Sequence, residues 1–217
     1  MMFRKIIFAI LIIIVSLYSC HSSGEDELNL YRNSNKSDTL VRDIPKNMSS
    51  TSYSSMKKNI ERMVGLSSIE NGFEDFQIRI WSSVASDDSE QLIGFTNKSS
   101  MWTAELYNLK FVYNKNYDSI ISINKQGGIK EPKSSWKYVI NNLVRLKILK
   151  LPDYSTFPNY YVSTDANGAT VEISSKNKYR TYSYPNIILY KDKIAEVKNM
   201  DEILMFLQEE FNFKLIK

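Results

Sequence analysis

The clearest strand signal in the chain is the stretch Phe76-Gln77-Ile78-Arg79-Ile80-Trp81. Its even-numbered residues are all apolar, and its odd-numbered residues are two polar side chains and a tryptophan. Because successive side chains of a strand point to opposite faces, this period of two predicts a half-buried β-strand. One face of that strand needs a covering layer, which a packed helix can provide.

Further strands are predicted on the C-terminal side of this stretch. Residues 91–96 and 101–113 have strand character, and the second segment carries alternating aromatic and leucine residues from Tyr107 to Tyr113. Another strand is expected at 119–123, ended by Gly127-Gly128. The connections are short, so these strands are expected to be antiparallel.

A helix and a second group of strands follow. Ser134 and Ser135 are candidate N-caps for a helix whose apolar residues recur with helical spacing until Pro152. Short strands are then expected at 160–164, 170–174 and 179–184. Asn167-Gly168 is predicted to turn the chain between the first two, and Ser175–Lys178 between the second two. Ile187–Tyr190 reads as an edge strand, and a last helix is expected to begin near Asn199.

This order predicts an α+β fold in two layers, with antiparallel strands in two meander groups that are each followed by a packing helix. A short helix at 54–64, ended by Gly65, is expected to precede them. We assign residues 53–217 to a single α+β domain. Residues 21–52 are rich in Ser, Asn, Asp and Lys and show no period of 2 or 3.6, so residues 20–52 are expected to form a flexible tether with a reach of ~30 Å.

The N-terminus has the parts of an export signal. Arg4 and Lys5 precede a short apolar run from Ile6 to Val15, and Leu17-Tyr18-Ser19-Cys20 follows. This tetrapeptide resembles the lipobox of bacterial lipoproteins. The resemblance implies removal of residues 1–19, a diacylglyceryl group on Cys20, and attachment to the bilayer through its acyl chains. The alternative is a plain signal-anchor helix with an incidental cysteine.

The composition adds a narrower resemblance. The bias toward Ile, Lys, Asn, Ser and Tyr, together with the acidic cluster Glu25-Asp26-Glu27 soon after Cys20, is similar to lipoproteins of the Bacteroidetes group. The resemblance implies an outer-membrane lipoprotein of the cell envelope and leaves periplasmic and surface display both open. Asp38-Thr39-Leu40 and Asp118-Ser119-Ile120 also resemble the O-glycosylation motif of exported proteins of that group, which makes Thr39 and Ser119 candidate modification sites.

Several chemistries are excluded by composition. The chain has one histidine, His21, and one cysteine, Cys20, and both lie outside the predicted domain. This removes Ser-His-Asp and Cys-His catalysis, zinc sites built on His or Cys, and an internal disulfide. The polar segments 87–90 and 165–168 are best explained as a solvated loop and a turn, so no metal and no cofactor are expected. The mature chain carries a net charge of +2, which gives no bias toward nucleic acid.

Binding remains open. Arg79 and Trp81 share one strand face, and Trp102 is expected on a neighbouring strand. If exposed, these side chains could stack on sugars or anchor a protein partner. The favoured alternative is that a helix covers that face and the tryptophans belong to the core. Tyr179, Arg180, Tyr182 and Tyr184 form a second patch, for which the same two interpretations are open.

We therefore expect a non-enzymatic cell-envelope lipoprotein, held to the bilayer by Cys20, whose domain binds a protein or glycan partner. One alternative is a polysaccharide hydrolase that uses two carboxylates, although no sequence spacing identifies the pair. Another is an inhibitor or immunity protein of the envelope.

Overall fold

The computed structural model describes residues 24–33, 39–48, 51–83, 88–163 and 166–214. The export signal, Cys20, Asp87 and Asp165 lie outside these ranges. Within them the chain forms one seven-stranded sheet. Its strands are β1 Val41–Asp43, β2 Phe76–Ser83, β3 Ser89–Lys98, β4 Met101–Tyr113, β5 Ile120–Lys130, β6 Gly168–Ser175 and β7 Lys178–Pro185.

The helices are distributed between the strands and after them. They are α1 Gly24–Asn33, α2 Thr51–Met63, α3 Trp136–Arg145, α4 Ile187–Tyr190 and α5 Ala195–Phe211, with a 3₁₀ turn at Tyr154–Thr156. The predicted helix at 54–64 is therefore confirmed as α2, and Gly65 follows it with a φ of +72°. The N-cap prediction is also confirmed, because the Ser135 hydroxyl oxygen accepts a hydrogen bond from the Tyr138 backbone N–H at the start of α3.

The sheet order is β1-β7-β6-β2-β3-β4-β5. Strand β2 lies between β3 and β6 and is antiparallel to both, so it joins the two predicted strand groups into one sheet. All other neighbours are antiparallel except β1, which pairs parallel to β7. The predicted α+β class with antiparallel strands is confirmed.

One face of the sheet carries the main apolar core. The even-numbered residues of β2 lie on this face, together with their partners across β3 and β6, such as Ile93 and Ile173. Helices α1, α3 and α5 contribute side chains to the same cluster, including Leu28, Ile140 and Leu207. Burial of this many apolar side chains is the main stabilising contribution to the domain.

The opposite face is more polar and is covered mainly by α2. Ile60 of α2 and the following Val64 pack with Trp81, Leu92 and Leu109 in a second, smaller apolar cluster. The rest of this face includes buried charged side chains. The sheet therefore separates an apolar face from a face where charge is buried.

The prediction of a flexible tether is wrong for residues 24–33 and 41–43. Residues 24–33 form α1, and Leu28 is only 3 % exposed against the core. The Gly24 N–H donates to Asn141 Oδ1 at 2.8 Å, and Glu27 pairs with Lys150 at 2.5 Å. Residues 41–43 add the short edge strand β1. These contacts come from residues more than a hundred positions away, so a local hydropathy pattern could not show them.

The second strand group also differs from its prediction at two points. Residues 160–163 form no strand, and their backbone bonds to side chains near the end of β7. The Asn186 amide donates to the Tyr161 carbonyl at 3.1 Å, and the Tyr161 N–H donates to the Tyr190 hydroxyl at 2.8 Å. The predicted hairpin at Asn167-Gly168 is therefore wrong, whereas the turn at 175–178 is confirmed. Gly168 is instead the first residue of β6, where a Cβ would lie 3.0 Å from the Pro185 Cα.

One predicted element and two element boundaries differ as well. The predicted edge strand at 187–190 is the single helical turn α4, and the last helix begins at Ala195 rather than near Asn199. Strand β5 continues through Gly127 to Lys130. Gly127 has a φ of +131°, and a Cβ there would lie 2.0 Å from the Leu106 carbonyl oxygen, so glycine is needed for this close approach. No helix within the described ranges combines the length and apolar character needed to cross a bilayer.

The packing of α1 gives a direct test of the corrected tether. Leu28→Ala should lower the free energy of unfolding by about 2–3 kcal/mol, because it removes a buried side chain and leaves a cavity. Leu30→Ala is the matched control in the same helix, since Leu30 is 70 % exposed, and it should change stability by less than about 0.5 kcal/mol. Urea unfolding of both variants measures the difference. Equal stability would mean that α1 does not dock.

Candidate functional site

The predicted surface of Arg79, Trp81 and Trp102 is not a surface. All three residues are buried, so the interpretation as an exposed binding patch is wrong and the favoured interpretation, that this face is covered and the tryptophans belong to the core, is confirmed. They also lie on opposite faces of the sheet. Trp102 packs in the main core, with its ring 6.1 Å from that of Phe76, while Arg79 and Trp81 point toward α2.

The face beneath α2 contains a fully buried carboxylate. Glu172 of β6 is 0 % exposed and accepts hydrogen bonds from Trp81 Nε1 and from the Tyr179 hydroxyl, each at 2.7 Å. The Lys57 ammonium of α2 forms an ion pair with the same carboxylate. Three donors from one helix and two strands therefore converge on Glu172, which satisfies the need of a buried charge for partners.

A second buried ion pair lies next to the first. Arg79 Nη1 is 2.8 Å from Glu61 Oε1, and both side chains are 4 % exposed. The guanidinium also donates to the Ser67 carbonyl at 2.7 Å and to the Gln77 side-chain oxygen at 2.9 Å. We call Lys57, Glu61, Arg79, Glu172 and Tyr179 the buried ion network. Because α2 supplies Lys57 and Glu61, the network fastens α2 to the sheet.

The two carboxylates of the network have opposite pKa shifts. Burial raises the pKa of Glu61, and the negative charge of Glu172 adds to that effect. Burial alone would also raise the pKa of Glu172, but the Lys57 and Arg79 cations outweigh it and hold that pKa below its usual value. Burial, with the charge of Glu172, raises the pKa of the Tyr179 hydroxyl, so Tyr179 stays a donor.

A cleft of about 280 Å³ opens beside the buried ion network. Its walls come from the segment before α2, from α2 and from β7, and include Ile44, Met48, Lys58, Glu61 and Tyr179. Glu172 does not line this cleft and has no exposed area, so a ligand there would not reach it. Divergent carboxylate pKa values are typical of acid–base catalysis. Here the carboxylate with the lowered pKa, Glu172, already has two hydrogen-bond donors and the Lys57 ammonium as partners, which favours a structural role.

For the second candidate patch, the interpretation as a covered face also holds. Tyr179, Tyr182 and Tyr184 are buried. The Tyr182 hydroxyl donates to the Ile148 carbonyl at 2.7 Å, and the Arg180 guanidinium donates to the carbonyls of Leu149 and Leu151, each at 2.6 Å. These side chains fix the loop after α3 to β7 rather than facing a ligand.

An open groove lies at one end of strands β3, β4 and β5, and has a volume of about 700 Å³. We call it the amide groove. The polar side chains in its lining include those of Gln91, Asn108, Lys110, Asn124, Gln126 and Lys214. The register places Asn108 directly opposite both Gln91 and Gln126, and Lys110 opposite Asn124. Because directly opposite residues share a face, these groups form a polar ladder across three strands.

The polar side chains at the floor of the amide groove already have hydrogen-bond partners, whereas those at its rim can bind a ligand. Gln91 is buried and uses both ends of its side chain, donating to Asn108 Oδ1 and accepting from the Lys214 backbone N–H. Asn124 and Gln126 are exposed and make no side-chain hydrogen bond to any described residue. Two amides and the Lys110 ammonium are therefore free to meet a polar ligand.

In the part of the chain that the structure describes, no three His, Cys, Asp or Glu side chains lie close enough together to hold a metal ion. The two candidate modification sites, Thr39 and Ser119, are both exposed, and Ser119 lies in the loop between β4 and β5. Cys20, the predicted acylation site, lies outside the described residues.

Neither a protein-family model, nor a curated protein, nor a solved structure matches this chain. Function is therefore inferred from its own residues.

Sequence reasoning missed both sites, for different reasons. Lys57 and Glu61 lie more than a hundred positions before Glu172, and each of the three is an ordinary charged residue in its local sequence. For the amide groove a weak signal was present: Asn108 and Lys110 are alternate residues of β4, and Asn124 and Gln126 are alternate residues of β5. This period of two on a polar face marks a solvated strand surface. It does not by itself show that the two strands are neighbours.

The buried ion network predicts a large stability effect. Glu172→Gln removes the carboxylate that pairs with Lys57 and leaves that ammonium, whose side chain is 16 % exposed, without its ion-pair partner, so the free energy of unfolding should fall by about 3–5 kcal/mol. The matched control is Glu74→Gln, which breaks the exposed pair of Glu74 and Lys176 and should cost less than about 1 kcal/mol. Urea unfolding compares the two. A similarly small loss in both variants would contradict the role assigned to the network.

Proposed function

We propose that this protein is a non-enzymatic lipoprotein of the cell envelope, anchored through an acylated Cys20, whose domain binds a glycan in the amide groove. The observation that carries the binding proposal is the pair of unpartnered amides, Asn124 and Gln126, facing a groove of about 700 Å³. A side-chain amide carries two donors and an acceptor, and sugar hydroxyls both donate and accept. The ladder of amides therefore suits a hydroxyl-rich ligand.

A glycan fits this lining better than a protein partner does. Protein interfaces depend on a few buried anchors, most often Trp, Tyr or Arg. The apolar residues of the groove are only Leu109 and Ile123, and no aromatic or arginine side chain belongs to its described lining. Lys110 gives the groove a positive charge that can also accept a carboxylate- or phosphate-bearing sugar.

The proposal of an envelope location has separate support. It rests on the positive charges, the short apolar run and the cysteine of the first twenty residues, which together resemble a lipoprotein signal. The presence of a single cysteine in the chain, at the position that acylation requires, adds to this support.

The hydrolase alternative has one observation in its favour. Glu90 borders the amide groove, and burial raises its pKa to about 7, a value suited to a general acid near neutral pH. However, the register pairs Glu90 with Leu109, on the sheet face opposite the amide ladder. Glycoside hydrolysis also needs a second carboxylate about 5–9 Å away. Glu90 is the one carboxylate among the described residues that line the groove. Binding without turnover is therefore the better-supported function.

The anchor is tested by labelling. Cys20→Ala should abolish incorporation of labelled fatty acid into the protein when it is expressed in a host that acylates lipoproteins, because the thiol is the acceptor of the lipid. Ser19→Ala keeps the cysteine and a small neighbouring residue and serves as the control, which should still be labelled. Undiminished labelling of Cys20→Ala would refute the anchor.

Binding is tested with an array of neutral and acidic oligosaccharides, including peptidoglycan fragments. For sugars that the wild-type protein binds, the double variant Asn124→Leu/Gln126→Met should weaken affinity by about 30-fold, since each lost hydrogen bond contributes about 1 kcal/mol. Both substitutions keep the approximate size of the side chain while removing its polar groups.

The matched control is Asn33→Leu/Gln208→Met, which makes the same chemical changes at two exposed helical positions outside the groove. It should bind as the wild type does. Absence of binding to every sugar by folded wild-type protein would refute the proposal, as would equal loss in both double variants. Release of new reducing ends by the wild type, lost in Glu90→Gln, would replace binding with hydrolysis.

A further inference from the structure

We propose that the domain lies directly against the bilayer, with the start of α1 and the outer side of α3 facing the lipid headgroups. This placement rests on the proposed acylation of Cys20. It replaces the picture of a domain displayed on a long flexible tether.

The length of chain between the anchor and the docked domain is short. Gly24 is buried, its N–H donates to Asn141 Oδ1, and a Cβ on it would lie 2.9 Å from the Asn141 Cα. The chain is therefore fixed to α3 at Gly24. Cys20 is only four residues earlier, and four fully extended residues span at most about 14 Å. An acylated Cys20 must sit at the bilayer, so the Gly24–Asn141 contact must lie within that distance of it.

The surface around this contact also has side chains that suit lipid headgroups. Lys137, Asn141 and Arg145 lie four residues apart along α3 and so share one stripe of the helix. The start of α1 therefore meets α3 between two exposed cations. Tyr138, next to this stripe, is 52 % exposed. Tyrosine, lysine and arginine are the side chains that favour the headgroup region of a bilayer, where their apolar stems and polar ends are both accommodated.

The charge at this surface is mixed rather than uniformly basic. Exposed cations continue past the end of α3 at Lys147 and Lys150. Glu27 pairs with Lys150, and Glu25 and Asp26 are exposed in the first turn of α1. Lipid attraction by charge alone would therefore be weak, and the short connection to Cys20 is what holds this surface to the bilayer.

The acylated protein itself provides a clean test, because its single cysteine is blocked by lipid and any introduced cysteine is the sole reactive thiol. A fluorophore is attached to Lys137→Cys, and in a separate protein to Lys115→Cys, and each protein is reconstituted in vesicles containing headgroup-nitroxide lipid. Position 137 is expected to lose fluorescence and position 115 is expected to lose little. Lys115 follows the end of β4. Measured along β4, this end lies about 30 Å from Ala104, which pairs with Lys130 at the end of β5 that leads into α3.

The control is a chain with a flexible Gly-Ser spacer of about 30 residues inserted between Ser22 and Ser23, which gives a reach of ~30 Å and should remove the difference between the two positions. Labelled fatty acid in the same samples reports acylation. Acylated protein with equal quenching at both positions would overturn the placement while the anchor stands. Absence of acylation would overturn the anchor and this placement together.

Discussion

The pairing of β2 with β6 is the contact on which the rest of the structure depends. It joins strands that are about ninety residues apart, with Ile78 opposite Ile173 and Arg79 opposite Glu172. This register brings the apolar residues of both strand groups to one face, where α1, α3 and α5 cover them. A slip of one residue would exchange the two faces and expose the core. The same register fixes which charged side chains lie on the other face.

That other face explains why α2 has a defined position. An apolar stripe alone would allow the helix to slide or rotate on a smaller cluster, whereas two buried ion pairs each require one arrangement of atoms. Burying charge costs free energy, so a face with this network need not give a larger free energy of unfolding than an apolar face would. Its consequence is that losing one partner is severe, because the remaining charge stays buried.

The two regions proposed to act lie away from the buried ion network. The amide groove is at the end of β3, β4 and β5, and the lipid-facing surface is at α1 and α3. The polar ladder and these two helices lie on the same face of one sheet, which would hold a bound glycan at a fixed orientation relative to the bilayer. A short connection from Cys20 suits this arrangement, since a long tether would let the domain turn freely and lose that orientation.

The sequence by itself determined the α+β class, the strands at 76–81 and 101–113, the helix capped by Ser135 and the absence of histidine and cysteine chemistry in the domain. Each of these depends on local periodicity or composition. Only the tertiary structure decided that Arg79 and Trp81 are buried, that Leu28 docks a helix within the predicted tether and that Asn124 and Gln126 line a groove. Burial and pairing depend on residues distant in the chain, and a charged side chain has the same local pattern whether it faces water or a counter-charge.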